Sequence, residues 1–86
     1  MPTISVFFGI IISMYFKDHN PPHFHAEYGE YEATIDIRTL AILEGRLPRR
    51  GLALVLEWAS EHRAELLDNW QLCREKRHPN PIEPLE

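Results

Sequence analysis

The sequence predicts an α+β fold, an antiparallel sheet of four to five strands with one long C-terminal helix packed on one face. Three observations predict it. The first sixteen residues are dense in isoleucine, valine and aromatics; strict period-2 alternation flanks the pair Gly29-Glu30; and an apolar stripe at helical spacing follows Gly51. With 86 residues, 44% of them hydrophobic and 26% charged, the chain has length for one core and none of the polar bias of disordered segments. Residues 1–77 read as a single α+β domain and residues 78–86 as a Pro-rich tail.

Thr3 to Phe8 and Ile10 to Phe16 hinge at Gly9, the pattern of two strands or of one long strand with a bulge. Pro21 and Pro22 then forbid helix and remove two backbone donors, so residues 17–22 form a loop or a sheet edge. Phe24, Ala26 and Tyr28 alternate with His23, His25 and Glu27; Tyr31, Ala33 and Ile35 alternate with Glu32, Thr34 and Asp36. Gly29-Glu30 between them suits a two-residue type II′ turn. Closing that turn opposes Tyr28 to Tyr31, Ala26 to Ala33 and Phe24 to Ile35 on one face. The other face then pairs His23 with Asp36, His25 with Thr34 and Glu27 with Glu32.

A short strand is expected at about Leu40 to Glu44, and Pro48 suits the first turn of a helix. Leu52, Val55, Leu56, Ala59, Leu66, Trp70 and Cys73 recur at spacings of three, four and seven, which predicts an amphipathic helix to about Arg74 with a kink near His62. Trp70 and Cys73 fit its buried stripe. Trp58 is offset from Trp70 by about 120° and suits a side contact or an interface. His78 to Glu86, with three prolines and no periodicity, reads as a frayed tail or an arm that docks on a partner.

Composition narrows the function. A net charge of −4 disfavours a general nucleic-acid surface. One cysteine, Cys73, excludes an internal disulfide and a thiolate cluster and suits a reducing cytoplasm. The longest apolar stretch, Val6 to Phe16, is far short of the roughly 20 residues of a membrane helix. A small domain of this size also suits help from a partner protein or from a second copy.

His19, His23 and His25 place three of the five histidines within seven residues. Histidine exchanges protons near neutrality, and residues two apart on a strand project from one face. His19, His23 and His25 are therefore candidate catalytic groups, with Asp36 as the carboxylate that orients His23. The same residues can ligate a metal: His23 and His25 with either His19 or Glu27 form a nitrogen and oxygen set with open positions. A plain polar strand face turned to water fits the pattern as well, and the residues leave the cofactor, if there is one, open. Arg46, Arg49 and Arg50 flank Pro48, where the helix dipole disfavours cations. They are a candidate anion site for phosphate, a nucleic-acid backbone or an acidic protein, or else pair with Glu44 and Glu57 in solution.

The run His19-Asn20-Pro21-Pro22-His23-Phe24-His25-Ala26 resembles the signature of a small bacterial family catalogued as domain of unknown function 4160. The resemblance continues through Leu43-Glu44-Gly45-Arg46-Leu47-Pro48, Glu57-Trp58, His62-Arg63 and Asn69-Trp70, over roughly residues 2–75. It implies a gene placed beside that of another small protein, an arrangement suggestive of a toxin–antitoxin pair. On that implication the histidine row is the active centre of a toxin-like component acting on RNA, and the arginines contact phosphate. A non-enzymatic module that binds a protein partner through its sheet edge or its tail, and a small metalloprotein, are the alternatives.

Overall fold

The structure, a computed structural model, describes residues 2–16 and 18–86. The chain forms β1 (Thr3–Phe7), β2 (Ile10–Ser13), β3 (His23–Tyr28), β4 (Tyr31–Asp36), β5 (Ile42–Arg46), α1 (Arg49–Glu61) and α2 (Arg63–Arg74). The five strands lie in sequence order in one antiparallel sheet. Each connection is local because each strand needs only a hairpin to reach the next.

Turn chemistry sets the β1–β2 and β3–β4 registers. Phe8 and Gly9 both have positive φ, +50° and +79°, as a type I′ turn requires, and Phe7 pairs with Ile10. Gly29 at φ +60° closes the next hairpin while Glu30 keeps negative φ, the type II′ pattern. All six β3–β4 pairs fall where the alternation puts them, from Tyr28 opposite Tyr31 to His23 opposite Asp36. The strand expected at Leu40 to Glu44 begins two residues later, because Leu40 turns to positive φ and the Asp36–Ala41 segment is a hydrogen-bonded turn. Gly45 is required at its place: φ is +76°, and a Cβ there would stand 2.1 Å from the Glu32 carbonyl oxygen of the neighbouring strand.

One face of the sheet carries Phe7, Ile10, Ile12, Phe24, Ala26, Ala33 and Ile35, and all are buried together with Val55, Trp58, Ala59, Leu66, Trp70 and Cys73 of the helices. The expected single helix is two. His62 leaves helical geometry at φ −129°, ψ 23°, ending α1 and starting α2. The seven-residue step from Ala59 to Leu66 keeps both stripes on the core, but periodicity reports which face is apolar and not whether the backbone is continuous. Pro48 caps α1 from just outside its first turn.

Trp58 is also corrected. It is fully buried, 5.3 Å ring to ring from Phe7 and 6.0 Å from Phe24, with its indole N–H donated to the Glu83 carbonyl at 2.8 Å. The acceptor comes from the tail, which packs on this chain's own core. Asn69 holds Asn80 by two bonds of 2.8 Å, the Ile82 N–H donates to the Ile4 carbonyl at 2.8 Å, and Ile82 is 4% exposed. Residues 78–86 thus pack back on α1, α2 and β1 and are not a free arm. Among the described residues no helix is long and apolar enough to cross a membrane.

Candidate metal centre

The outer face of the sheet is built by the same period-2 rule that buries the inner one. Ser13, His25, Thr34 and Glu44 form one row across β2, β3, β4 and β5, and Ile11, Glu27, Glu32 and Arg46 form the next. His23 opens β3, where the Ile37 N–H reaches the Pro22 carbonyl at 3.0 Å and extends the ladder into the preceding loop. That loop lays Asp18 over both imidazoles.

His23 Nε2 stands 2.8 Å and His25 Nε2 3.2 Å from the same oxygen, Asp18 Oδ2. These three potential ligand atoms lie within 4.8 Å of one another. The ring of His23 is buried at 8% exposure, and its Nδ1 is 2.7 Å from the Pro21 carbonyl. A carbonyl only accepts, so Nδ1 carries the hydrogen and donates. Nε2 of a neutral ring then presents a lone pair to a carboxylate oxygen, and a proton or a cation is needed between them. His25 is backed by Thr34 Oγ1, 3.5 Å from its Nδ1, and by Glu32 Oε2 at 4.0 Å. Trp70 of α2 packs 5.1 Å from the His23 ring, and Tyr15 meets the His25 ring edge-on at 4.2 Å. Arg74 of α2 bonds Asn20 of the loop at 3.4 Å.

Partial burial works against the Asp18 charge, yet the hydrogen bond from His25, the charge and hydrogen bond of His23 and the His19 N–H at 3.1 Å outweigh it. Its carboxyl is held below the ordinary value of 3.8 and stays ionised. The Tyr15 hydroxyl moves the other way, raised by burial and by Glu32, Glu27 and Asp18, so it remains a neutral phenol. Burial likewise raises the Cys73 thiol, as suits a core residue.

A cleft of about 320 Å³ opens over the imidazoles, walled by the Asp18–Pro21 loop on one side and by Thr34, Leu43 and Glu44 on the other. The structure therefore brings together His23 and His25 of the residues singled out from sequence, with His19 exposed on the cleft wall. Asp36 lies opposite His23 in register, but its Oδ1 accepts the N–H groups of Arg38 at 2.7 Å and Thr39 at 3.1 Å. It caps the β4–β5 turn, and the orienting carboxylate is Asp18. Glu27 lies one row away from the cluster, and the third potential ligand atom beside the two imidazoles is on Asp18.

The arginines are elsewhere. Arg46 stacks over Tyr31 at 5.3 Å, Arg49 and Arg50 are exposed in the first turn of α1, and none lines the cleft. Among the described residues none of the three makes an ion pair, with Glu44 and Glu57 or otherwise. The sequence signal for Asp18 was its place at the head of the histidine run, five residues before His23; that of Tyr15 and Thr34 was their nearness along the chain and across the hairpin.

No curated protein and no solved structure matches the chain significantly. A family profile does match, over residues 9–71, which takes in β2 to β5, the loop, the imidazoles and most of the helical layer. By that match the chain belongs to the family described as Domain of unknown function (DUF4160).

Proposed function

We propose that this protein holds one divalent transition-metal ion through Asp18 Oδ2, His23 Nε2 and His25 Nε2 and presents it to the cleft. The supporting observation is that convergence: both Nε2 atoms aim at one carboxylate oxygen, while His23 Nδ1 is already committed to the Pro21 carbonyl. A carbonyl acceptor on the far nitrogen is what a metal-bound histidine ordinarily has, because it fixes the tautomer and makes Nε2 more basic. Tetrahedral ligands at about 2.1 Å from an ion stand roughly 3.4 Å apart, so separations of 2.8 and 3.2 Å need only a small outward shift. Two imidazoles and one carboxylate suit zinc, iron, cobalt, nickel or manganese rather than calcium or magnesium.

Three protein ligands leave coordination positions open, as catalytic sites do and structural zinc sites do not. When bound there, such an ion supplies Lewis-acid chemistry toward a polar ligand in the cleft. The test is a titration of chelator-treated protein with zinc and cobalt. One ion per chain with a Kd below about 1 μM is expected, and its loss in a His23→Ala, His25→Ala variant that keeps its far-ultraviolet circular dichroism. Equal binding by the double variant sinks the reading.

Toxin-like acid–base action on RNA is the second reading, and the His23–Asp18 contact at 2.8 Å supports it as a proton-handling pair. Its weakness is charge, since Asp18 and Glu44 line the cleft and, among the described residues, no lysine or arginine does. Growth of a bacterial host expressing the chain alone checks it: arrest by the native protein and normal growth with the soluble double variant are the expected pair. Normal growth with both ends it.

A further inference from the structure

The two edges of the sheet are treated differently. β1 is met by the chain's own tail at Ile4, whose carbonyl accepts the Ile82 N–H, while all five residues of β5 are exposed and no loop bonds to their backbone among the described residues. An open edge is a row of unpaired donors and acceptors. Here it borders the cleft, because Leu43 and Glu44 belong to β5 and line it. The bulge that shifts register between Thr34 and Ile35 leaves Leu43 as the unpaired extra residue, 42% exposed beside Ile42 at 39%.

We propose that β5 takes an extended peptide segment as a sixth strand, with a basic residue of that segment placed opposite Glu44 at the mouth of the cleft. This rests on the reading of the cleft as the functional site. The row His25, Thr34, Glu44 runs outward to the edge, so the residue opposite Glu44 on an added strand continues it about 4.8 Å further. Charge selects the occupant: Glu44 and Asp18 wall the cleft, and Glu32 lies 4.0 Å from His25. Arg46, two residues on and level with Glu32 in register, carries its guanidinium over Tyr31 at the strand end and asks for an acidic or neutral partner. Exposed Ile42 and Leu43 supply apolar contact to the flanking residues. The ligand class is thus a β-strand peptide with an acidic residue two positions before a basic one when it runs antiparallel to β5.

The probe is the capped pentapeptide acetyl-Val-Glu-Val-Lys-Val-amide, titrated into the full chain with and without zinc while backbone amide shifts are followed. Saturable binding with the largest shifts at Ile42 to Arg46 is expected. About tenfold weaker binding is expected for a copy N-methylated at alternate residues and for the Glu44→Lys variant. A Val-Lys-Val-Glu-Val copy should lose a similar factor, since its charges oppose the wrong partners in the antiparallel register. No saturation by about 5 mM, shifts centred on the exposed Val6, Phe8 and Ile11, or equal affinity of all three peptides overturns the proposal. So does a concentration-dependent dimer paired β5 to β5, which would make the occupant a second copy. Zinc stoichiometry measured on the same sample separates this result from that for the ion.

Discussion

A chain ending at His78 is expected to lose about 4–6 kcal/mol of stability, enough to unfold a domain this small at 37 °C. Three losses add up. Ile82 is buried at 4% exposure and Leu85 packs on the core, and burial of such side chains is worth about 1.5–3 kcal/mol when complete. Asn69, itself buried, loses both partners on Asn80, and the buried Trp58 N–H loses Glu83, so polar groups are stranded in an apolar layer. The β1 edge, no longer bonded at Ile4, is opened to other chains. Thermal and urea melts followed by circular dichroism check this, with Ile82→Ala as the milder comparison at about 2 kcal/mol. A truncated chain with the full-length midpoint would show that the tail contributes nothing.

Replacing Asp18 is expected to have the largest effect on the site. Asp18→Asn keeps the volume but removes the charged oxygen shared by the two imidazoles. The affinity for zinc or cobalt should fall at least about a hundredfold, more than the loss typical of an outer partner, with the fold kept. Unchanged affinity would remove Asp18 from the ligand set. The metal-free protein gives an independent check by pH. Because the Asp18 carboxyl is held below 3.8 in the folded chain, its stabilisation is complete above that pH and disappears as pH falls through the lowered folded value. The stability difference between native chain and Asp18→Asn, about 1 kcal/mol after allowing for solvent screening, should therefore shrink as pH falls below the ordinary carboxylate value. A difference that grew on acidification would contradict the assigned role.

Most of the sheet was legible because its causes are local. Gly29 needs no distant contact to accept positive φ, and once the turn closes, period 2 leaves only one register that buries Phe24, Ala26, Ala33 and Ile35 together. His23 and His25 shared a face for the same reason. Their partner was misassigned to Asp36, since opposition in register fixes where a Cα lies and not which backbone N–H groups a carboxylate finds; the turn residues Arg38 and Thr39 were nearer. Trp58 was misplaced because a helical wheel shows angular spread but not the depth of the pocket that Phe7 and Phe24 offer it.

What the sequence by itself determined is the Gly29 hairpin with its register, the outer row of imidazoles and the apolar stripe, each set by steric and hydrophobic rules acting within about ten residues. The tertiary structure alone decided that a proline loop folds Asp18 over His23 and His25, that the kink expected near His62 is a full break, and that the tail returns, with Asn80 bonded to Asn69, Glu83 to Trp58 and Ile82 to Ile4 of β1. Those contacts join segments whose attraction depends on what the rest of the chain has already buried, and no local period records them.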